Sequence, residues 1–194
     1  MYRKKKLLAS VFVITAVVVM FSGVMVVSEY NRLATRWENV QSAAADVDTM
    51  LQRRVDLIPN LVNTVKSYAG HETEVFDAVL AARSELVDAS SIEEKADANK
   101  TLDQALTQLN VVVENYPELT SNTVYIGLMD ELAGSENRIA VARNTYNTVA
   151  ASYNKKLVIF PENVIASLFK FEKAEYFEAD DLSTDVPAVD ELLN

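Results

Sequence analysis

The sequence predicts an all-α protein: an N-terminal transmembrane helix continues into an antiparallel, up-and-down four-helix bundle whose first helix is long and kinked. Three observations support this fold class. The run from Leu7 to Val27 has no charged residue and, as a helix, would span about 30 Å, the thickness of a bilayer core. Elsewhere glycine and proline are scarce, which favours long helices. Apolar residues also recur at spacings of three and four, the period of one helix face.

The uncharged run divides the chain into a basic tail (residues 1–6), an anchor (residues 7–27) and the remainder. A cleaved signal peptide is the alternative, but its apolar region is shorter, about 7–15 residues, and ends at a small-x-small site. The run ends instead at Val26-Val27-Ser28-Glu29, and the nearest Ala-x-Ala lies far downstream. We therefore favour an uncleaved anchor in contact with the lipid bilayer.

Basic residues near the ends of the anchor predict its orientation. Four lie in the N-terminal tail, and Arg32 and Arg36 lie just beyond the run. The positive-inside rule then places the N-terminus in the cytoplasm and the bundle outside it.

Composition excludes several function classes for the part of the chain after Val27. All 28 acidic residues lie there, against 14 of the 18 basic ones, so a nucleic acid, which binds a basic surface, is disfavoured as a partner. The absence of cysteine excludes disulfides, thiolate metal sites and cysteine nucleophiles.

The first helix is predicted from an apolar stripe about 40 residues long. Its positions are Leu33, Trp37, Val40, Ala44, Val47, Leu51, Val55, Ile58, Val62, Val65 and Ala69. Pro59 falls inside the stripe, yet the spacing continues across it, so we predict one helix bent at Pro59. Gly70 is expected to end this helix.

Three more helices complete the predicted bundle. The second runs from about Glu72 to Val87. The third opens at Ser91 with the capping-box pattern Ser-x-x-Glu and closes at Pro117. The fourth begins near Asn122 and ends before Phe160-Pro161, and short connections make neighbouring helices antiparallel.

An aromatic segment follows the fourth helix, which should descend toward the membrane. Its candidate membrane-proximal residues are Phe169, Phe171, Tyr176 and Phe177. Packing against the base of the first helix is the favoured interpretation, and contact with lipid is the alternative. Residues 180–194 are acidic and are expected to be largely disordered.

No catalytic set is apparent. His71 is the only histidine, so the paired Glu-x-x-His motifs of a di-metal bundle are absent. Polar residues near the apolar stripes carry more information, because buried charges need partners. We predict that Glu136 and Arg138 or Arg143 pair with Arg54 and Asp56 near the bend at Pro59, which would set the register of the bundle.

At these same residues the chain resembles the LemA family of bacterial single-pass membrane proteins. The matching pieces are Tyr30-Asn31, RRVDLIPNLVNTVKSYAGHE (53–72), Tyr116-Pro117, ENRIAVARNTYN (136–147), Tyr153-Asn154, Phe160-Pro161 and Tyr176 to Ala179. They place a LemA-like bundle at residues 28–179, with the tail after Ala179 outside the resemblance. The structural-motif residues are Arg53, Arg54, Asp56, Pro59, Asn60, Glu136, Asn137, Arg138, Arg143, Tyr146 and Asn147.

The resemblance implies a single anchor and an up-and-down helical bundle, without an established activity, cofactor or catalytic residue. It also keeps open a cytoplasmic position for the bundle. We therefore expect a non-enzymatic, membrane-anchored interaction or scaffold protein of the cell envelope, with protein partners and self-association. The alternative is a sensor or adaptor that regulates an envelope enzyme such as a membrane protease.

Overall fold

The computed structural model describes residues 2–178, and side chains from Phe12 onward. Every regular element in this range is a helix, which confirms the all-α class. The elements are α1 (Tyr2–Lys66), α2 (Thr73–Asp88), α3 (Ile92–Glu114), α4 (Pro117–Thr120), α5 (Thr123–Lys156) and α6 (Glu162–Phe169). The tail predicted at 180–194 lies outside the described residues.

α1 is a single helix of 65 residues that contains both the apolar run and the amphipathic stripe. Side chains such as Val24 and Val27 are exposed, whereas from Leu33 onward the stripe positions turn inward. Among the described residues α1 is the one helix long and apolar enough to cross a membrane, and no part of its most apolar stretch is buried by protein. These features support a single-pass membrane protein.

Pro59 lies inside α1, where it removes one link of the helical hydrogen-bond ladder. Because proline has no N–H, the carbonyl of Val55, four residues earlier, lacks its usual donor. Arg83 on α2 supplies a replacement, since its Nε donates to Val55 O at 3.1 Å. The proline in the middle of α1 is thus accommodated by a side chain of the next helix.

Local chemistry sets several helix ends. The capping box at Ser91 is confirmed: its Oγ accepts from the Glu94 amide at 3.1 Å, and Glu94 Oε2 accepts from the Ser91 amide at 3.0 Å. Hydrogen bonds from the Ser90 and Ser91 amides and the Ser90 hydroxyl lower the pKa of Glu94 from 4.5 to about 2. Asn122 begins α5, because its Oδ1 accepts from the amides of the second and third residues of that helix.

Two predicted helix ends are wrong in detail. α1 ends at Lys66, four residues before Gly70, and no glycine in the described part of the chain has a positive φ. α3 ends at Glu114, and Pro117 begins the short helix α4 instead of only closing the third helix. The fixed φ of proline suits the first position of a helix, where its missing N–H has no partner to lose.

The described residues divide into two compact units. One contains residues 2–45 and 145–174, and the other contains residues 46–144 and 175–178. α1 and α5 each contribute residues to both units. In the second unit α2 packs along α3, and fully buried side chains such as Ile58, Leu102 and Ile139 form the core.

In the first unit, α6 packs on α1 through Leu33, Ile165 and Ala166. The chain after α6 is extended and is fastened to α5. The Asn154 side chain makes two hydrogen bonds of 2.8 Å to the backbone of Ala174, donating to its carbonyl and accepting from its amide. The favoured packing of the aromatic segment on the first helix is therefore observed for α6.

Candidate functional site

A buried arginine is the centre of the most polar cluster within the second unit. Arg54 lies on the inner side of α1 with 3% of its surface exposed. Its Nη1 donates to Asn99 Oδ1 at 2.6 Å and also to Glu136, and its Nη2 donates to Asp103. The guanidinium thus joins α1 to α3 and α5.

The two carboxylates remain partly in water. The side chains of Asp103 and Glu136 are 47% and 40% exposed, whereas that of Arg54 is 4% exposed. Arg54 Nε is buried without a partner. The desolvation cost therefore falls mainly on the cation, and the carboxylates are what keep that cation paired.

Asn99 and Asp103 are members of this cluster that sequence reasoning did not identify. One signal for Asn99 exists in the sequence: it precedes Leu102 by three residues and is in phase with the apolar stripe of α3. A polar residue in phase with a buried stripe needs an interior partner. Asp103 follows one turn later, and its Oδ2 accepts from Asn99 Nδ2 at 3.4 Å.

Asp56, which we predicted to pair with Arg138 or Arg143, lies outside the Arg54 cluster. Its Oδ1 accepts from Gln52 Nε2 at 2.7 Å on the exposed side of α1. The reason is helical geometry, because residues two apart point about 200° away from each other.

A second, exposed ion-pair group centres on Glu131. Its Oε1 accepts from Arg53 Nε at 2.9 Å and from Arg138 Nη2 at 3.0 Å. The hydrogen bonds and charge of Arg53, with a smaller contribution from Arg138, lower the pKa of Glu131. Sequence reasoning selected both arginines but not this carboxylate, and it did not place Arg138 on Glu131.

Arg143 has a different neighbour from the one predicted. Its guanidinium carbon lies 5.3 Å from the centre of the Phe177 ring, and its Nε and Nη2 are buried without a hydrogen-bond partner. The aromatic face therefore provides a cation–π contact for this charge. Phe177 is 4% exposed, so it is a core residue of its unit.

The remaining motif residues vary in burial. Tyr146 is 3% exposed and belongs to the core. Asn147 is half-buried, while Asn60 and Asn137 lie on exposed faces of α1 and α5. The backbone carbonyl of Asn60 accepts from Thr64 Oγ1 at 2.8 Å.

The first unit has an aromatic cluster where the apolar run of α1 ends. The ring of Tyr30 lies 4.8 Å from that of Phe169 and 5.7 Å from that of Phe171, measured between ring centres. Farther along, the rings of Trp37 and Tyr153 are 5.3 Å apart. Tyr153 also donates from its hydroxyl to the carbonyl of Glu172 at 2.9 Å.

An open cleft of about 610 Å³ lies beside this cluster in the same unit. Its charged lining consists of Arg32, Arg36, Lys156 and Glu162. Lys156 and Glu162 form an ion pair of 2.7 Å, and Arg36 Nη1 donates to Ser152 Oγ at 3.1 Å. The cleft therefore carries net positive charge.

Chemically, these clusters are suited to holding helices together and to attracting anions. Among the described residues, no group of three or more His, Cys, Asp or Glu side chains could hold a metal ion. The buried Arg54 interacts with partly hydrated carboxylates, and aromatic rings contact one another. Interactions of these kinds serve structure and recognition.

The LemA family model matches residues 43–190. The chain belongs to the LemA family. The match continues to residue 190, so the part of the tail expected to lie outside the resemblance is largely inside it.

Curated relatives of this LemA-family protein include magnetosome proteins. It is 31% identical over 175 residues to magnetosome protein MamQ 2 of Paramagnetospirillum magneticum, which covers 77% of this chain and 64% of the relative. It is 30% identical over 174 residues to magnetosome protein MamQ of Magnetospirillum gryphiswaldense, with 76% and 64% covered. Protein LemA of Metamycoplasma hominis is 24% identical over 160 residues, with 80% and 72% covered. The chain thus spans less than two thirds of the length of the MamQ relatives.

Proposed function

We propose that this LemA-family protein is a non-enzymatic, membrane-anchored interaction or scaffold protein of the bacterial cell envelope. The observation that carries the proposal is the continuity of α1, one 65-residue helix that contains both an exposed apolar span and the buried positions of the protein core. A stiff helix that belongs to both would hold the folded part at a defined distance from the bilayer. The relatives named as magnetosome proteins support a role at a membrane.

Inserting a flexible glycine-serine linker after Val27 tests this positioning role. If the scaffold depends on a fixed distance between the folded part and the bilayer, the linker variant should lose its cross-links to neighbouring proteins in native membranes. Circular dichroism should show that the variant remains folded. A matched insertion at Gly70-His71, in the connection between α1 and α2, serves as the control. An unchanged cross-linking pattern after the Val27 insertion would mean that tethering alone suffices and that the positioning role is wrong.

Within this proposal, residues 28–179 form one antiparallel, up-and-down bundle built from α1, α2, α3 and α5. The Arg54 cluster supports it, because its members come from α1, α3 and α5, and α2 packs along α3. The other motif residues then serve the register of the bundle. No enzymatic step is assigned to them.

The Arg54 cluster can be tested by removing its negative charges. Glu136→Gln or Asp103→Asn leaves Arg54 one carboxylate, and each should cost about 1–2 kcal/mol because the carboxylates are partly hydrated. The double variant leaves a buried, uncompensated cation and should cost about 3–5 kcal/mol. Adding Arg54→Met should restore much of this loss. If adding Arg54→Met to the double variant restored no stability, the proposed register role would be contradicted.

We propose that the N-terminus lies in the cytoplasm and the bundle outside it, on the strength of the basic tail. Since the chain has no cysteine, Ser90→Cys and Lys4→Cys provide single reporters on either side of the anchor. In intact cells an impermeant thiol reagent should label the first variant and not the second. The reverse pattern would place the bundle in the cytoplasm.

Self-assembly is the further part of this proposal, and an adaptor for an envelope enzyme is the second candidate. The acidic residues of the 180–194 segment support the adaptor, as a docking surface for a partner. Deleting that segment discriminates between the two candidates. A self-assembling scaffold should keep its self-cross-links in native membranes, whereas an adaptor should lose its cross-link to another protein. A monomer in detergent and in membrane cross-linking would exclude self-assembly.

A further inference from the structure

A band of exposed apolar side chains lies on α6 and just before it, within the unit of residues 2–45 and 145–174. Phe160 is 77% exposed, Leu168 is 67% exposed and Val164 is 54% exposed. Val158 and Ile159 extend the band toward the end of α5. Five large apolar side chains between residues 158 and 168 are therefore exposed in this unit.

The band is the exposed apolar face of α6, distinct from the face that packs on α1. Val164 and Leu168 are four residues apart and share one side of α6, while Ile165 and Ala166 project from the opposite side. Those two are buried against Leu33 of α1. α6 thus has apolar side chains on two sides: Ile165 and Ala166 contact protein, whereas Val164 and Leu168 stay largely exposed among the described residues.

The position of α6 along α1 determines what that outer face meets. α6 and its neighbours pack between Val26 and Leu33 of α1, with Tyr30 between them against Phe169. Val26 is the penultimate residue of the uncharged run. From Val26 to Leu33 an α-helix rises about 10 Å, which is slightly more than the headgroup region on one side of a bilayer, about 5–8 Å deep.

We propose that the outer face of α6, with Phe160, Val164 and Leu168, lies in the interfacial layer of the bilayer as a second membrane contact beside the anchor. Its occupant is lipid. Amphipathic helices lie in this layer with their apolar face about 5–10 Å deep. The inference rests on the proposed membrane anchor, because α6 is held at this depth by the helix that spans the bilayer.

The charges around the cleft agree with this placement. Arg32, Arg36 and Lys156 line it; Arg32 pairs with Glu29 at 2.8 Å and Lys156 with Glu162, and the side chain of Arg32 remains 69% exposed. Arg32 follows Val27 by five residues, so it lies about 7 Å beyond the end of the apolar run. This height falls within the Val26–Leu33 span against which α6 packs, so a cation there would lie at the level of the lipid headgroups in the proposed placement.

The proposed lipid face differs from the aromatic residues selected from the sequence. Phe169 and Tyr176 retain exposed fractions of 46% and 47%, but Tyr176 belongs to the other unit. Phe171 packs into the α1–α6 cluster, and Phe177 is buried in the other unit. Phe160 and Leu168 take their place as the principal contacts.

Lipid-depth measurements on the full-length protein test the inference. Single-cysteine variants Leu168→Cys and Val164→Cys, labelled with bimane, are reconstituted in nanodiscs at one copy per disc, with brominated phospholipids as quenchers. Val24→Cys, in the apolar run, is the positive control. Ala151→Cys is the matched exposed control: its neighbour Ser152 contacts Arg36, about 15 Å farther along α1 than Val26.

Quenching at positions 164 and 168 should be at least about threefold that at 151 and within about twofold of that at 24, as expected for a face in the interfacial layer. Quenching at 24 but not at 164 or 168 would overturn the inference and leave the anchor intact. No quenching at 24 would overturn the anchor together with the inference. If neither bromolipid nor aqueous iodide quenches the probes at 164 and 168, protein covers the band. That result would also overturn the inference.

Discussion

Pro59 and Arg83 should be energetically coupled although they lie on different helices and do not pair directly. The proline leaves the Val55 carbonyl without a helical donor, and Arg83 Nε supplies one at 3.1 Å. In the native chain, Arg83→Met therefore leaves a carbonyl unpaired at a residue that is 2% exposed. Replacing proline with alanine restores an N–H at position 59 and should make the arginine dispensable.

The size of the coupling follows from the hydrogen bond that is lost. A bond from a charged donor is worth about 1.5–3 kcal/mol, and since Arg83 is half-buried we expect the lower end, about 1.5–2 kcal/mol, for Arg83→Met. In the Pro59→Ala background the same substitution should cost about 0.5 kcal/mol or less, because the Val55 carbonyl then has its helical donor. The coupling energy is therefore at least about 1 kcal/mol.

The assay is denaturant unfolding of the full chain in mild detergent, followed by far-ultraviolet circular dichroism. Asn60→Ala replaces Pro59→Ala in a control cycle, since Asn60 is an exposed neighbour that already has an N–H. That control should be additive with Arg83→Met. Additivity within about 0.5 kcal/mol in the Pro59 cycle as well would refute the reasoning, because the arginine would then be unrelated to the missing link.

Two further predictions concern local contacts. Asn154→Ala removes both side-chain hydrogen bonds to the Ala174 backbone and should lower the free energy of unfolding by about 2 kcal/mol. Hydrogen exchange at the Ala174 amide should become faster. Unchanged exchange there would contradict the role of Asn154 in holding this segment. Ser91→Ala should lower the free energy of unfolding by about 1 kcal/mol, because α3 loses its N-terminal cap. Unaltered hydrogen exchange at the first amides of α3 would count against this capping role. The pKa of Glu94 is lowered from 4.5 to about 2, so its contribution to stability is complete above about pH 4.5 and is lost as the pH falls toward 2. An NMR titration of Glu94 with a midpoint near 4.5 would exclude that lowering.

Helix content was predictable because its signals are local. The apolar residues of the stripe, from Leu33 through Val55 and Ile58, recur three or four positions apart, and these positions are buried in α1. The capping box at Ser91 needs only residues three apart. Such features depend on backbone geometry within one turn, which a sequence specifies directly.

The partners of polar residues were only partly predictable. Sequence reasoning placed Arg54 with Glu136, and the structure brings the two together. It missed Asn99, Asp103 and Glu131, since identifying them requires knowing which turn of one helix lies beside which turn of another. The same limit applies to Arg83, whose role appears only when α2 lies beside the proline of α1.

The sequence by itself determined that this protein is helical, that it carries one apolar span able to cross a membrane, and that this span is joined to an amphipathic stripe. Tertiary structure alone decided that Arg54 has two carboxylates, that Phe177 is buried under Arg143, and that Leu168 is exposed. Residues 168 and 177 are equally apolar in the sequence. Their exposed fractions differ because burial depends on which surfaces distant segments cover. Packing between helices determines that coverage.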